Sequence, residues 1–402
     1  MIKDGYIAEI GIIPESENIE IKDCKDLTAV PGFFDMHVHF RDPGQTHKED
    51  LSSGTDASAN GGFTGVLMMP NTLPPIDSVE IISDLLNRAK NSVVDVYSSA
   101  CISAGRRGES LSSVKELHSA GAIAFTDDGS PVLNTKLMSE ILRESAKLNF
   151  PVLQHAENPG IHPDGVMNEG EVSKKLGLKG MPCESETSVV AADILLANSI
   201  KGSKYHIQHI SCGKTLDIIR NAKKKNQNIT CEICPHHFIL TEENCIEMGS
   251  YAKMNPPLRT QADVDSLIEG IKDGTIDVLC SDHAPHSDSE KLSGMEKSPF
   301  GIIGIEVSIG LIYTYLAKNK IIDFKRLVEM FSINPRRILG IEQITIRKGA
   351  KANLTILNTN QTWKADKSKF KSKSRNTPYN EFELECKPFA IINNNQIYYS
   401  EL

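Results

Sequence analysis

His37 and His39 stand one residue apart in "DMHVHFRDPG", and Arg41 follows two places later. Along a strand, residues i, i+2 and i+4 share a face, so two imidazoles and a guanidinium project together. Imidazole nitrogen binds divalent metals and guanidinium grips carboxylates, so the stretch is a candidate metal site with an anion reader beside it. His155 and His209 add imidazole nitrogen, while Asp128 and Asp282 add carboxylate oxygen, a set suited to zinc or a similar divalent ion. Six ligands exceed one tetrahedral catalytic site with an open position. Two ions sharing a carboxylate and a hydroxide account for the count, and a bridging hydroxide beside a second, carbonyl-polarising ion is hydrolytic chemistry.

Such side chains need a scaffold that brings distant segments to one place. Eight short runs rich in β-formers recur along the chain: "AVPGFFDMHVHF", "FTGVLMMP", "VVDVYSSA", "AIAFTDD", "PVLQHAE", "KYHIQHIS", "ITCEICPHH" and "IDVLCSDHAPH". Amphipathic stretches such as "SVEIISDLLNRAKN" and "TKLMSEILRESAKLN" lie between them, and the alternation predicts an α/β fold, a (β/α)8 TIM barrel. Catalytic groups of such barrels sit at the carboxyl ends of the strands, which is where the histidines and aspartates fall. Residues 1–27 and 347–402 have alternating patterns with Gly and Asn turns and are expected to pair as a small β-sandwich-like domain. The barrel then spans residues 28–346.

The 402 residues suffice for one large barrel with an appendage, and the net charge of −8 argues against attraction to nucleic acid or an anionic membrane. A small-molecule partner is the expectation. No apolar signal core opens the chain and no apolar run approaches the ~18 residues of a spanning helix, so a cytoplasmic location is expected. Nine cysteines scattered along a long chain read as reduced thiols. The basic run "KADKSKFKSKSRN" reads as a solvated loop.

"PGFFDMHVHFRDPGQTHKED", "MMPNTLPP", "FTDDGSPV", "HIQHIS", "CEICPHH", "MNPPLR", "SDHAPH" and "PFGIIGIE", in this order, resemble the dihydroorotase family of metal amidohydrolases of pyrimidine synthesis, in the form found in many bacteria. The resemblance implies a zinc-dependent cyclic amidohydrolase with two Zn2+ per subunit. His37, His39 and Asp282 would hold the more buried ion and His155 and His209 the other, with Asp128 and a hydroxide bridging. Asp128, rather than Asp127, aligns with the bridging carboxylate, and Asp127 would orient the loop. Many relatives of the superfamily use a carboxylated lysine there, but no lysine occurs between Lys115 and Lys136.

The implied reaction is reversible hydrolysis of (S)-dihydroorotate to N-carbamoyl-L-aspartate, with Asp282 as general base and acid. The resemblance places Arg41, Asn71 and His286 at the substrate carboxylate and Asn255, Phe300 and Gly301 at the ring, with His39 also touching substrate. It implies a homodimer or a complex with aspartate transcarbamoylase as possible assemblies. The rivals it leaves are allantoinase or dihydropyrimidinase-like enzymes, which typically keep the bridging lysine, and non-catalytic partners of the transcarbamoylase, which lose ligands this chain keeps.

The remaining histidines divide in two. His47, His118 and His162 are expected at the solvent surface, while His206, His236, His237 and His283 are expected to support the site from behind. No second cysteine pair follows "CEICPHH" at zinc spacing, so no structural zinc is expected there.

Overall fold

The computed structural model describes residues 1–13 and 20–402; residues 14–19, part of the amino-terminal β stretch, lie outside the described residues. Eight parallel strands form one sheet in sequence order: β1 Phe33–Val38, β2 Phe63–Met68, β3 Asp95–Ala100, β4 Ala122–Phe125, β5 Pro151–Gln154, β6 Lys204–Ile207, β7 Ile229–Ile233 and β8 Val278–Leu279. A parallel bridge between Val38 and His283 brings the last strand's end back to the first. Asp35 strengthens this closure, because its carboxylate accepts from Ser281 N at 3.1 Å and from His37 N at 3.1 Å. This is the (β/α)8 barrel expected from the alternation.

Local chemistry explains why the helices begin where they do. Asp50, Asn134 and Thr260 cap Leu51–Asn60, Thr135–Leu148 and Gln261–Lys272 by accepting backbone N–H groups that have no partner inside the helix. Each helix turns a spaced apolar stripe to the barrel; Leu137, Met138, Ile141 and Leu142 do so in Thr135–Leu148. Burying such a side chain stabilises by roughly 1.5–3 kcal/mol. The packing of helices on strands is what holds the strand ends still.

The first predicted strand divides at Gly32. Thr28–Pro31 pairs antiparallel with Leu354–Lys364 in a second, four-stranded sheet that also contains Glu383–Asn393 and Gln396–Tyr399, and the barrel strand starts only at Phe33. A Cβ on Gly32 would fall inside the side chains of Asn353 and Thr64, so the switch between the sheets requires glycine. Asn353 stands at this junction as donor and acceptor at once: its Oδ1 accepts from Thr64 Oγ1 at 2.6 Å and its Nδ2 donates to Asn393 Oδ1 at 3.0 Å. An aspartate could not donate.

Two sequence expectations are corrected here. Cys183 and Cys212 are a disulfide pair with Cα atoms 6.1 Å apart, not reduced thiols, because loops following β5 and β6 bring together cysteines 29 residues apart. The basic run is not a solvated loop throughout. Its lysines point outward, but Phe370, Ser372, Ser374 and Asn376 alternate into the protein. The buried carboxylates Glu306 and Glu49 draw this strap in: Lys371 N donates to Glu306 at 2.8 Å, Lys373 N to Glu49 at 3.2 Å, and Ser372 Oγ bonds Glu49. Asn376 then donates to Ala284 O at 3.0 Å and Gly301 O at 3.2 Å, and accepts from His286 N at 3.1 Å.

Asp193, behind β5 and β6, gives a stability prediction. Burial raises its carboxyl to about 7, against the hydrogen bonds from Tyr205 Oη at 2.8 Å and Gln154 Nε2 at 3.0 Å. A carboxyl raised above its unfolded value contributes stability that is complete below the ordinary carboxylate range and fades as pH climbs through about 7. Asp193→Asn keeps an acceptor for both donors. It is expected to raise Tm at pH 8, by on the order of 2 °C or more, and to leave Tm nearly unchanged at pH 4. A shift independent of pH in thermal melts would contradict this.

Candidate metal centre

The strand ends converge on a cavity of about 320 Å³ whose lining includes His39, Arg41, Asn71, Asp128, His155, His209, Asn255, Asp282, His286, Phe300 and Gly301. A larger cavity of about 790 Å³ lies elsewhere, between Arg88 and Tyr398, and contains no histidine. The smaller one holds every residue proposed from sequence except His37, which lies fully buried beneath it. Arg41, His209 and Asp282 have φ of 58°, 27° and 47°, a left-handed region that is costly for residues with a Cβ. Backbone held there at three positions around one cavity is the pattern of a site whose geometry is imposed by the surrounding structure.

Two donor groups share Asp128. On one side, His37 Nε2 is 3.5 Å from Asp128 Oδ1 and His39 Nε2 is 3.5 Å from Asp128 Oδ2; Asp282 Oδ1 lies 3.5 Å from His37 Nε2 and 3.0 Å from His39 Nε2. On the other, Asp128 Oδ1 is 3.8 Å from His155 Nδ1 and 3.7 Å from His209 Nε2, and those two nitrogens are 2.9 Å apart. Asp127 points away, where it accepts from Ser103 N at 3.1 Å. The carboxylate between the two groups is therefore Asp128.

The rear nitrogens decide which lone pairs face inward. His37 Nδ1 donates to Glu232 Oε1 at 2.6 Å, His39 Nδ1 to Asn71 Oδ1 at 2.8 Å, and His155 Nε2 to Glu157 Oε2 at 2.9 Å. With a proton held on that side, each ring has its other nitrogen left to face the centre, where a metal can take the place of a second proton. Burial lowers the His39 pKa, so this ring is neutral and its one proton faces Asn71. Its Nε2 then meets the Asp282 carboxylate at 3.0 Å, acceptor against acceptor. His37 Nε2 and Asp128 Oδ1 are buried with no hydrogen-bond partner. A shared divalent cation satisfies all of these atoms, so the donor set fits metal.

The electrostatics agree. Burial disfavours charge at His37, but Glu232, Asp282 and Asp128 outweigh it and raise its pKa well above the ordinary value. Burial likewise opposes ionisation of Asp128 and Asp282, yet the surrounding imidazoles hold both carboxyls below the usual range. Carboxylates held ionised in this way favour positive charge among them, and a bound divalent ion would replace the proton that they hold on His37.

The opposite end of the cavity is cationic. Arg41 is buried, its pKa lowered by that burial only to about 10, so it stays charged; its Nε donates to Pro285 O at 3.2 Å and Nη2 lies 3.2 Å from His286 Nε2. His286 Nε2 donates to Phe300 O at 2.8 Å, and Lys48 Nζ is 3.5 Å from its Nδ1. Burial, then Arg41, Lys48 and Lys291, lower the His286 pKa to about 2, which keeps this ring neutral. Asn71 also donates to Asp128 Oδ2 at 3.3 Å, and Asn255 Nδ2 donates to Glu157 Oε2 at 2.7 Å. Both amides therefore reach cavity and ligand shell together.

Sequence reasoning missed Glu232, Glu157 and Lys48. Glu232 did carry a signal, a lone carboxylate in the otherwise apolar strand "ITCEI". Of the histidines expected at the surface, His47 is exposed and His118 half-buried, but His162 is buried, its Nε2 2.7 Å from Ser185 Oγ and 3.3 Å from Glu157 Oε1. The pull of Glu157 accounts for that correction. Cys234, His236 and His237 come within 4.8 Å of one another, a proximity the spacing argument did not anticipate.

Comparison with known proteins adds an independent result. A family model described as "Dihydro-orotase-like" matches residues 27–215. The chain is 42% identical over 399 residues to the dihydroorotase of Acetivibrio thermocellus, covering 99% of this chain and 93% of that one. It is 40% identical over 401 residues to the dihydroorotase of Clostridioides difficile, covering 100% and 94%. Among solved structures, the L-hydantoinase (dihydropyrimidinase) from Arthrobacter aurescens superposes with a TM-score of 0.87 at 23% identity, covering 100% of this chain and 92% of that one, which shows the common fold. With relatives this similar along its whole length, the chain belongs to the dihydroorotase family.

Proposed function

We propose that this protein catalyses the reversible hydrolysis of dihydroorotate to N-carbamoyl-aspartate on two zinc ions, with the ligands divided as the two donor groups divide. The observation that carries the reading is Asp128, set between two imidazole pairs in a cavity whose far end holds Arg41. When bound, the ions supply a water-derived nucleophile at neutral pH and polarise the ring carbonyl.

The chain's own residues do the rest. Arg41 receives the ring carboxylate through parallel charged hydrogen bonds, and neutral His286 stays beside it without adding a competing charge. Asn71 and Asn255, each already tied to the ligand shell, border the ring. Gly301, with φ of 116° and a missing Cβ that would crowd Ala284, keeps the wall behind the ring close. Asp282 accepts the proton released as water adds to the carbonyl and delivers it to the departing ring nitrogen, without which an amide leaves poorly. Its position against His37 and His39, among the proposed ligands, supports this role.

The test is metal analysis alongside turnover. Protein reconstituted with zinc is expected to hold two equivalents and to release carbamoyl-aspartate from dihydroorotate, and chelation is expected to abolish the release. Opening of hydantoin or allantoin without opening of dihydroorotate would overturn the reading.

A further inference from the structure

We propose that Glu232 is a positioning residue common to both halves of the metal centre, a single carboxylate that fixes the His37 tautomer and anchors the backbone of His209. This role rests on the dinuclear reading above. Glu232 is in β7, a strand that supplies none of the six donors, and its side chain is 1% exposed. Oε1 accepts from His37 Nδ1 at 2.6 Å and from His209 N at 3.4 Å, and Oε2 accepts from His206 Nε2 at 3.1 Å. The backbone repeats the link, since Ile210 N donates to Glu232 O at 3.0 Å. One residue thus touches a ligand of the first group and the loop that carries a ligand of the second.

The carboxylate is not itself a ligand of the centre. It sits behind His37, on the ring nitrogen opposite the one that faces Asp128 and Asp282, and accepts a short hydrogen bond there. Its effect is exerted through the proton. While Nδ1–H points at Glu232, the Nε2 lone pair must point inward; without an acceptor there, the proton can move to Nε2 and close the ligand. His206 completes the arrangement, because its Nδ1 is 2.8 Å from Thr230 Oγ1 and can trade donor for acceptor with that hydroxyl.

This asymmetry ranks two variants. In Glu232→Gln the amide oxygen can still face His37 while the NH2 faces His206, which switches tautomer against Thr230, so the tautomer is kept but the negative charge that makes His37 Nε2 a stronger donor to metal is lost. Glu232→Leu leaves no acceptor at all. The experiment measures zinc retained by holoenzyme during dialysis against EDTA, with KM and kcat for dihydroorotate and the Tm of the metal-free proteins. Hydrogen-bond partners on the rear nitrogen of metal-bound histidines are worth about 10–100-fold in metal affinity. Glu232→Gln is expected to lose zinc about tenfold faster than wild type and Glu232→Leu about a hundredfold, with KM little changed because the Arg41 end is untouched.

Glu306→Gln, a buried carboxylate that holds the strap instead, is the comparison and is expected to retain zinc like wild type. Wild-type retention in Glu232→Gln, or equal loss in Glu306→Gln, overturns the positioning role while leaving the dinuclear reading intact. Wild type that binds no zinc overturns both. If Glu232→Leu does not fold, the isosteric Gln variant decides.

Discussion

Asp282→Asn is expected to lower kcat for dihydroorotate by about 10²–10⁴-fold, the range that a positioned proton carrier contributes. The substitution keeps shape and one ligand oxygen but removes the basic site, so the loss should fall on kcat with KM changed far less. Metal content measured on the same sample separates the two ways of failing. A variant that keeps its zinc and has lost its rate places the defect in proton transfer; one that has lost zinc has merely lost a ligand. Burial would push the Asp282 carboxyl up, but His37 foremost among the surrounding imidazoles more than offsets it and holds it below the usual carboxylate range. It is therefore ionised and able to accept a proton across the neutral range. A zinc-replete Asp282→Asn enzyme with kcat within a few-fold of wild type would remove Asp282 from the mechanism.

Arg41→Met is expected to fail differently, mainly in KM. Two hydrogen bonds to a charged group contribute roughly 1.5–3 kcal/mol each, and about 1.4 kcal/mol is a factor of ten. The expected fall in kcat/KM is thus about 10²–10⁴-fold, with zinc content unchanged because Arg41 supplies no donor to either group. Dihydrouracil, the same ring without the carboxylate, provides the control: its turnover should be poor in both enzymes and similar between them. An unchanged KM for dihydroorotate in the variant would show that the carboxylate binds elsewhere.

What the sequence disclosed follows from what strand geometry makes periodic. The eight strands were legible because each is a short apolar run ending in polar residues, and the alternation that puts His37 and His39 on one face survives in the folded barrel. Arg41 and the six donors could be read for the same reason, since they fall at the ends of five strands, three of the seven at the first. Three things could not be read this way. Gly32 splits one apolar run between two sheets, a decision made by Asn353 and Thr64, which are remote in sequence. Glu232 lies within a strand rather than at its end, where a charge has meaning only once His37 and His206 are known to face it. His162 looks like a loop residue until Glu157 is placed beside it. The first two are long-range pairings of polar atoms, which local pattern does not encode, and His162 is held as well by Ser185, which follows it in a separate helix.

Asn376 shows what that means for the order of the chain. All six proposed metal donors lie at or before Asp282 in the chain, yet the loop bearing His286 and Gly301 is held by an amide that comes much later, at Asn376. The six proposed donors thus precede in the chain the amide that ties down the wall facing them, so a chain cut before Asn376 keeps every proposed donor and loses that tie.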